Sequence, residues 1–150
     1  MTPIAKLAVA QTPEEAAYVL LEQARQEVAR GNNITPLAVV VCEENDRPAY
    51  DLLGLAFTDE SKRSAFRRVV TLAKKKTARA IITVAEADYY RTDEERATED
   101  CIFVTLSGEG IETVTMRLPF TRGRWRKRIR FGELERKTQP APLAFLPDWP

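Results

Sequence analysis

The stretch from Glu86 to Asp100, EADYYRTDEERATED, holds seven acids and two arginines. Glu86 and Asp88 stand where one apolar run ends, and Glu99 and Asp100 where the next begins. If the two runs are paired strands, these four carboxylates converge at one end of a sheet. Converging carboxylates bind Mg²⁺ or Ca²⁺, or shift one another's pKa. With a lysine on the same strand they would suit metal-dependent phosphodiester cleavage. The position two after Asp88 is Tyr90, not lysine. A solvated acidic loop, paired in part to Arg91 and Arg96, accounts for the same residues. Tyr89 and Tyr90 are placed to stack on a base or sugar, or to cap a core edge with their hydroxyls in water.

The second stretch with chemistry in it is TRGRWRKRIRF, Thr121 to Phe131, with six positive charges and no negative one. Arg122, Arg124, Arg126, Arg128 and Arg130 alternate with Trp125, Lys127, Ile129 and Phe131. Period two describes a half-buried strand with one arginine face. Such a face binds phosphate or nucleic acid well, because the guanidinium is a planar fork. A charged edge strand that prevents edge-to-edge pairing has the same pattern. The two charge blocks can also neutralise each other across neighbouring strands.

Composition removes whole classes of mechanism. The chain has no histidine and two cysteines. A Ser-His-Asp triad, a Cys-His dyad and a zinc site of the usual nitrogen and sulfur ligands cannot be built within one chain. Chemistry would have to rest on carboxylates, Lys, Tyr, Ser/Thr or Cys; no cofactor is indicated. Cys42 and Cys101 each sit in an apolar strand-like run and read as buried thiols. Net charge is +1, so no global field selects an acidic partner. No apolar run is long enough to cross a bilayer, and the N-terminal LAVA is too short for a signal peptide, which points to the cytoplasm.

The elements that would position these groups follow from periodicity. In QTPEEAAYVLLEQARQEVARG, Thr12 is an N-cap, Pro13 takes the first helical position and Glu15 closes a capping box. Ala17, Leu20, Leu21, Ala24 and Val28 form one stripe, and Gly31 ends the helix. ITPLAVVVCEEN is apolar on both faces and reads as a central strand; ENDR turns the chain into the strand PAYDLLGLAF. A second helix starts at Thr58 or Asp59, with Phe66, Val69, Val70 and Ala73 inward. Lys74, Lys75 and Lys76 suit its negative end. The strands ARAIITVAEADYY, CIFVTLS, IETVTMRL and RWRKRIRF follow, with PFTRG as the last connection.

The segment VAEADYYRTDEERATEDCIFVTLSGEG, with the triplet Ala85-Glu86-Ala87, resembles a pattern in small bacterial and phage-associated α+β proteins of unassigned function. In these a strand ends near a Ser/Ala-Glu-Ala motif and is followed by an acidic loop and another strand. The resemblance implies an α+β layout and no particular chemistry.

These readings combine into one α+β domain over residues 1–131. It has a mixed, largely antiparallel sheet of about six strands, in the order α-β-β-α-β-β-β, with two helices on one face. Residues 132–150 hold four of the nine prolines and read as an extended, apolar C-terminal arm that docks on the domain or a partner subunit. Three strands apolar on both faces leave a second face to cover. The expected answer is a homodimer, with Leu143, Phe145, Leu146 and Trp149 of the arm at the contact. The expected function is a non-catalytic, self-associating binding domain. Nucleic-acid binding through the arginine face is the alternative, and a carboxylate-dependent hydrolase the second.

Overall fold

The computed structural model describes residues 10–54, 59–76, 78–89, 99–108, 111–122 and 129–140. Helix α1 runs Pro13–Ala29, and both its ends are set by local chemistry. Thr12 Oγ1 accepts from the Glu15 N–H at 3.1 Å. Glu15 reaches back, but its Oε2 accepts from the N–H of Gln11 at 2.7 Å, one residue before the cap. At the other end the Gly31 N–H donates to Val28 and the Asn32 N–H to Glu27, a Schellman closure with Gly31 at φ +85°.

Strands β1 (Leu37–Glu44) and β2 (Arg47–Gly54) form a hairpin. Its two-residue loop, Asn45 and Asp46, takes positive φ at both positions, the type I′ turn that matches strand twist. Helix α2 spans Asp59–Lys76. Then come β3 (Ala80–Tyr89), β4 (Glu99–Gly108), β5 (Thr113–Arg122), β6 (Ile129–Phe131) and β7 (Glu135–Gln139). The sheet order is β2-β1-β3-β4-β5-β6, with β7 also on β5. Architecture is α+β, as the sequence implies.

Three expectations are corrected. Mixed pairing was expected from the crossover between β2 and β3, yet every pairing among the described residues is antiparallel. Strands β2 and β3 do run the same way, but β1 lies between them and pairs with both. The two helices were placed on one face and instead occupy opposite faces. Val39 and Val41 join α1 in the larger core, while Ala38, Val40 and Cys42 join Val69 and Ala73 of α2 in a second one. Alternation along β1 sends these two sets to opposite sides. Both apolar faces of β1 thus have a helix.

The third correction concerns PFTRG. Residues 119–122 belong to β5, which continues through Pro119. Proline is tolerated within a sheet at a bulge, and one is present. Residues 132–134 lie opposite Leu118 and Pro119, three against two, between the pairs Phe120–Phe131 and Arg117–Glu135. The Pro119 carbonyl accepts from the Gly132 N–H at 2.8 Å. A residue's N and O point to the same side of a strand, so the missing N–H of Pro119 also faces the bulge and β4 loses nothing. The segment from Gly132 therefore begins as part of the sheet, through β7; residues 141–150 lie outside the described residues.

The α1 face is apolar across β3, β4 and β5: Ile82, Val84, Ile102, Val104, Leu106, Val114, Met116 and Phe120 are all buried. The opposite face of these strands carries hydroxyls. Thr83, Thr105, Ser107 and Thr113 are buried there. Thr83 bonds to Thr105, and Ser107 to Thr113 at 3.2 Å, so the hydroxyls satisfy one another. Cys42 and Cys101 are buried thiols on β1 and β4, as read. No helix among the described residues is long and apolar enough to cross a membrane.

Candidate functional site

Register decides where the acidic and basic blocks meet. Asp88 pairs with Asp100, and Asp100 with Phe120. Glu86 stands two positions before Asp88 on β3, and Arg122 two positions after Phe120 on β5. Side chains two apart share a face, so Glu86, Asp100 and Arg122 fall on the α1 face at one end of the sheet, with position 88 in register beside them. Glu99 is at the start of β4, opposite Tyr89. Of the four strand-end acids, Glu99 is thus out of register with this face, and Glu86 and Asp100 are the carboxylates that Arg122 joins.

What fills the convergence is Arg122. Its side chain folds back along β5, with the guanidinium carbon 5.0 Å from the centre of the Phe120 ring. From there Nη1 donates to Glu86 Oε1 at 3.0 Å and to Asp100 Oδ2 at 3.4 Å. The group is partly wet: the side chains of Arg122, Glu86 and Asp100 are 34%, 27% and 43% exposed. Water screens such pairs, so each is worth roughly 0.2–1 kcal/mol. The position a cation would take between the two carboxylates is held by a guanidinium. Among the described residues, no group of three or more Cys, Asp or Glu side chains is placed to hold a metal ion.

The arginine row is divided. Arg122 turns inward to the acids, whereas Arg130 on β6 is exposed. Ile129 and Phe131 on either side of it pack against the larger core, as period two requires. The Phe131 ring lies 6.2 Å from Phe120, and Arg25 of α1 stands over it at 5.7 Å. Arg124, Arg126 and Arg128 lie outside the described residues, as do Trp125 and the arm residues Leu143, Phe145, Leu146 and Trp149.

Sequence reasoning missed two further arginines. Arg117 stands over the Phe103 ring at 5.3 Å and faces Glu135 across the β5–β7 pair. Arg136 of β7 donates to Glu14 in the first turn of α1, Nε to Oε1 at 2.9 Å, and this carboxylate holds its pKa above the usual arginine value. The signal for Arg122 was present: once Asp100 is set opposite Phe120, the arginine two residues later must share its face.

One cleft of about 230 Å³ opens between α1 and the segment before β1. Leu20, Ala24, Ile34, Leu37 and Val84 line it, with Gln23 and Glu27 among its polar residues. Glu27 is committed to closing the helix end, with Oε1 accepting from Arg30 at 3.1 Å and Oε2 from Asn32 at 2.8 Å. The volume is below the usual range for a small-molecule site.

No family model, curated protein or solved structure matches this chain.

Proposed function

We propose that the protein is a non-catalytic interaction domain that associates with itself. The observation that carries the first half is the seat of Arg122 between Glu86 and Asp100. A hydrolase built on these acids needs their negative charge to hold a metal or take up a proton. Here that charge is directed to an arginine of the same sheet. The same contact draws Arg122 away from any polyanion on the arginine face, which weakens the nucleic-acid reading. Self-association is supported by apolar side chains left in water, above all Leu52 on the edge strand β2, at 54% exposure.

Two measurements on the full chain test the reading. Calorimetric titration with Mg²⁺, Mn²⁺ and Ca²⁺ is expected to give no saturable micromolar site. A site that vanishes in Glu86→Gln or Asp100→Asn would promote the hydrolase. Sedimentation velocity over a range of concentrations is expected to show reversible dimer formation, and a monomer throughout would sink self-association.

A further inference from the structure

The two edges of the sheet are built differently. On one side β7 is charged and exposed, with Glu135, Arg136 and Lys137 in succession, which discourages another strand from adding. On the other side β2 pairs with β1 alone among the described strands. Its outward groups can be identified from the hairpin. The pair that closes a type I′ loop, Glu44 and Arg47, is hydrogen-bonded, and bonding alternates from there. Ala49, Asp51 and Leu53 therefore bond to β1. Pro48, Tyr50, Leu52 and Gly54 direct their backbone groups outward. The bond from the Arg79 N–H to the Val41 carbonyl at 2.8 Å agrees with this phase, since it places Val41 on the β3 side of β1.

Pro48 has no N–H and blunts the start of that edge. Tyr50 to Gly54 has no proline, and Asp51 is its one charged residue. Leu52 lies opposite Val39, on the α1 face, yet remains the most exposed of the large apolar side chains among the described residues. Helix α1 lies over β3 and β4 and stops short of it.

We infer that the Tyr50–Gly54 edge of β2 pairs antiparallel with the same edge of a second copy, on a two-fold axis at Leu52. This rests on the self-association proposed above and gives it a place. Register selects the occupant. An axis at Asp51 would set two like charges opposite each other, which is unfavourable. An axis at Tyr50 would set Pro48 opposite Leu52 in a pair where it must donate and cannot. An axis at Leu52 pairs the stretch with itself and leaves Pro48 outside. It sets the two Leu52 residues together and brings Tyr50 of each copy opposite Gly54 of the other. Gly54 has no side chain, and its other neighbour in that row is Leu37, which is half-buried. An aromatic opposite a glycine on an edge strand is a favourable cross-strand pair. The result is one continuous sheet through both copies, an isologous contact that closes on itself.

The test is sedimentation velocity on the full chain and on Leu52→Lys, from about 1 to about 100 micromolar. The exposed site lets the variant fold, which circular dichroism and the urea midpoint verify. A wild-type dimer that weakens at least about tenfold in Leu52→Lys supports the inference. A dimer equally strong in both overturns the edge and leaves self-association standing. A wild type that is monomeric throughout removes both. Leu52→Cys supplies a second measurement: on the axis it links to its own copy under mild oxidation. A dimer that does not form this link, read by mass spectrometry at position 52, overturns the register.

Discussion

Gly132 lies so close to Pro119 that a side chain at position 132 would meet the proline ring. The Gly132 N–H donates to the Pro119 carbonyl at 2.8 Å, and a Cβ on residue 132 would stand 2.8 Å from Pro119 Cγ. The proline ring is stiff and cannot swing aside as a long side chain would. Gly132→Ala is expected to destabilise the domain by about 1–3 kcal/mol, the usual cost of overpacking. Urea unfolding at constant m-value checks it. A variant as stable as the parent would mean that the bulge relaxes freely.

The Arg122 contact makes a prediction about coupling. Arg122→Ala and Glu86→Gln should each destabilise modestly, about 1 kcal/mol or less, because the pair is partly screened. The double variant should lose less than the sum, with a coupling of about half a kcal/mol or more. That coupling should shrink in high salt. Strict additivity would show that the two side chains do not interact in solution.

Tyr50 carries a pH dependence. Its hydroxyl donates to the Ala10 carbonyl at 3.0 Å. Burial, and secondarily the negative charge of Glu15, hold its pKa above the ordinary tyrosine value. The folded protein then keeps a proton that the unfolded chain releases near pH 10. The associated stability is fully present below about pH 10 and is lost as pH rises through the folded value. Stability of the wild type should therefore fall more steeply above about pH 10 than that of Tyr50→Phe. Parallel alkaline stability curves would remove the effect.

The arginine stretch predicts a negative result with a defined alternative. Wild-type protein should show no salt-sensitive binding to duplex DNA or RNA at low ionic strength. If binding is seen, its log–log salt slope should flatten by about 0.9 for each phosphate contact removed. Arg130→Ala, at an exposed position, is the variant to read first.

Much of this fold can be read from the residues, and the exceptions have physical reasons. Thr12, Pro13 and Gly31 mark the ends of α1 because capping is local. The two apolar faces of β1 can be read because alternation is local too. Which face of the sheet a helix takes is not, since periodicity shows the apolar side of a helix but not the side of the sheet it meets. That is why α2, with Val69 and Ala73, was placed beside α1. PFTRG reads as a connection, and only the later glycine, Gly132, shows that the gap left by Pro119 faces a bulge. At the candidate site, Glu86 and Asp100 could be paired by eye. Arg122 could be added only with the register between β4 and β5, a non-local quantity.

The bond between Arg136 and Glu14 joins residues 122 positions apart. Glu14 belongs to the first described helix, and Arg136 to the last described strand. Helix α1 rests on β3 and β4, which are made after the hairpin and α2. The β1–β2 hairpin and α2 are neighbours in sequence, whereas α1 packs on strands far from it along the chain. Contacts this distant make folding slow relative to a helical bundle of the same size. The last described strand is thus fastened to the first described helix, and that helix depends on residues synthesised long after it.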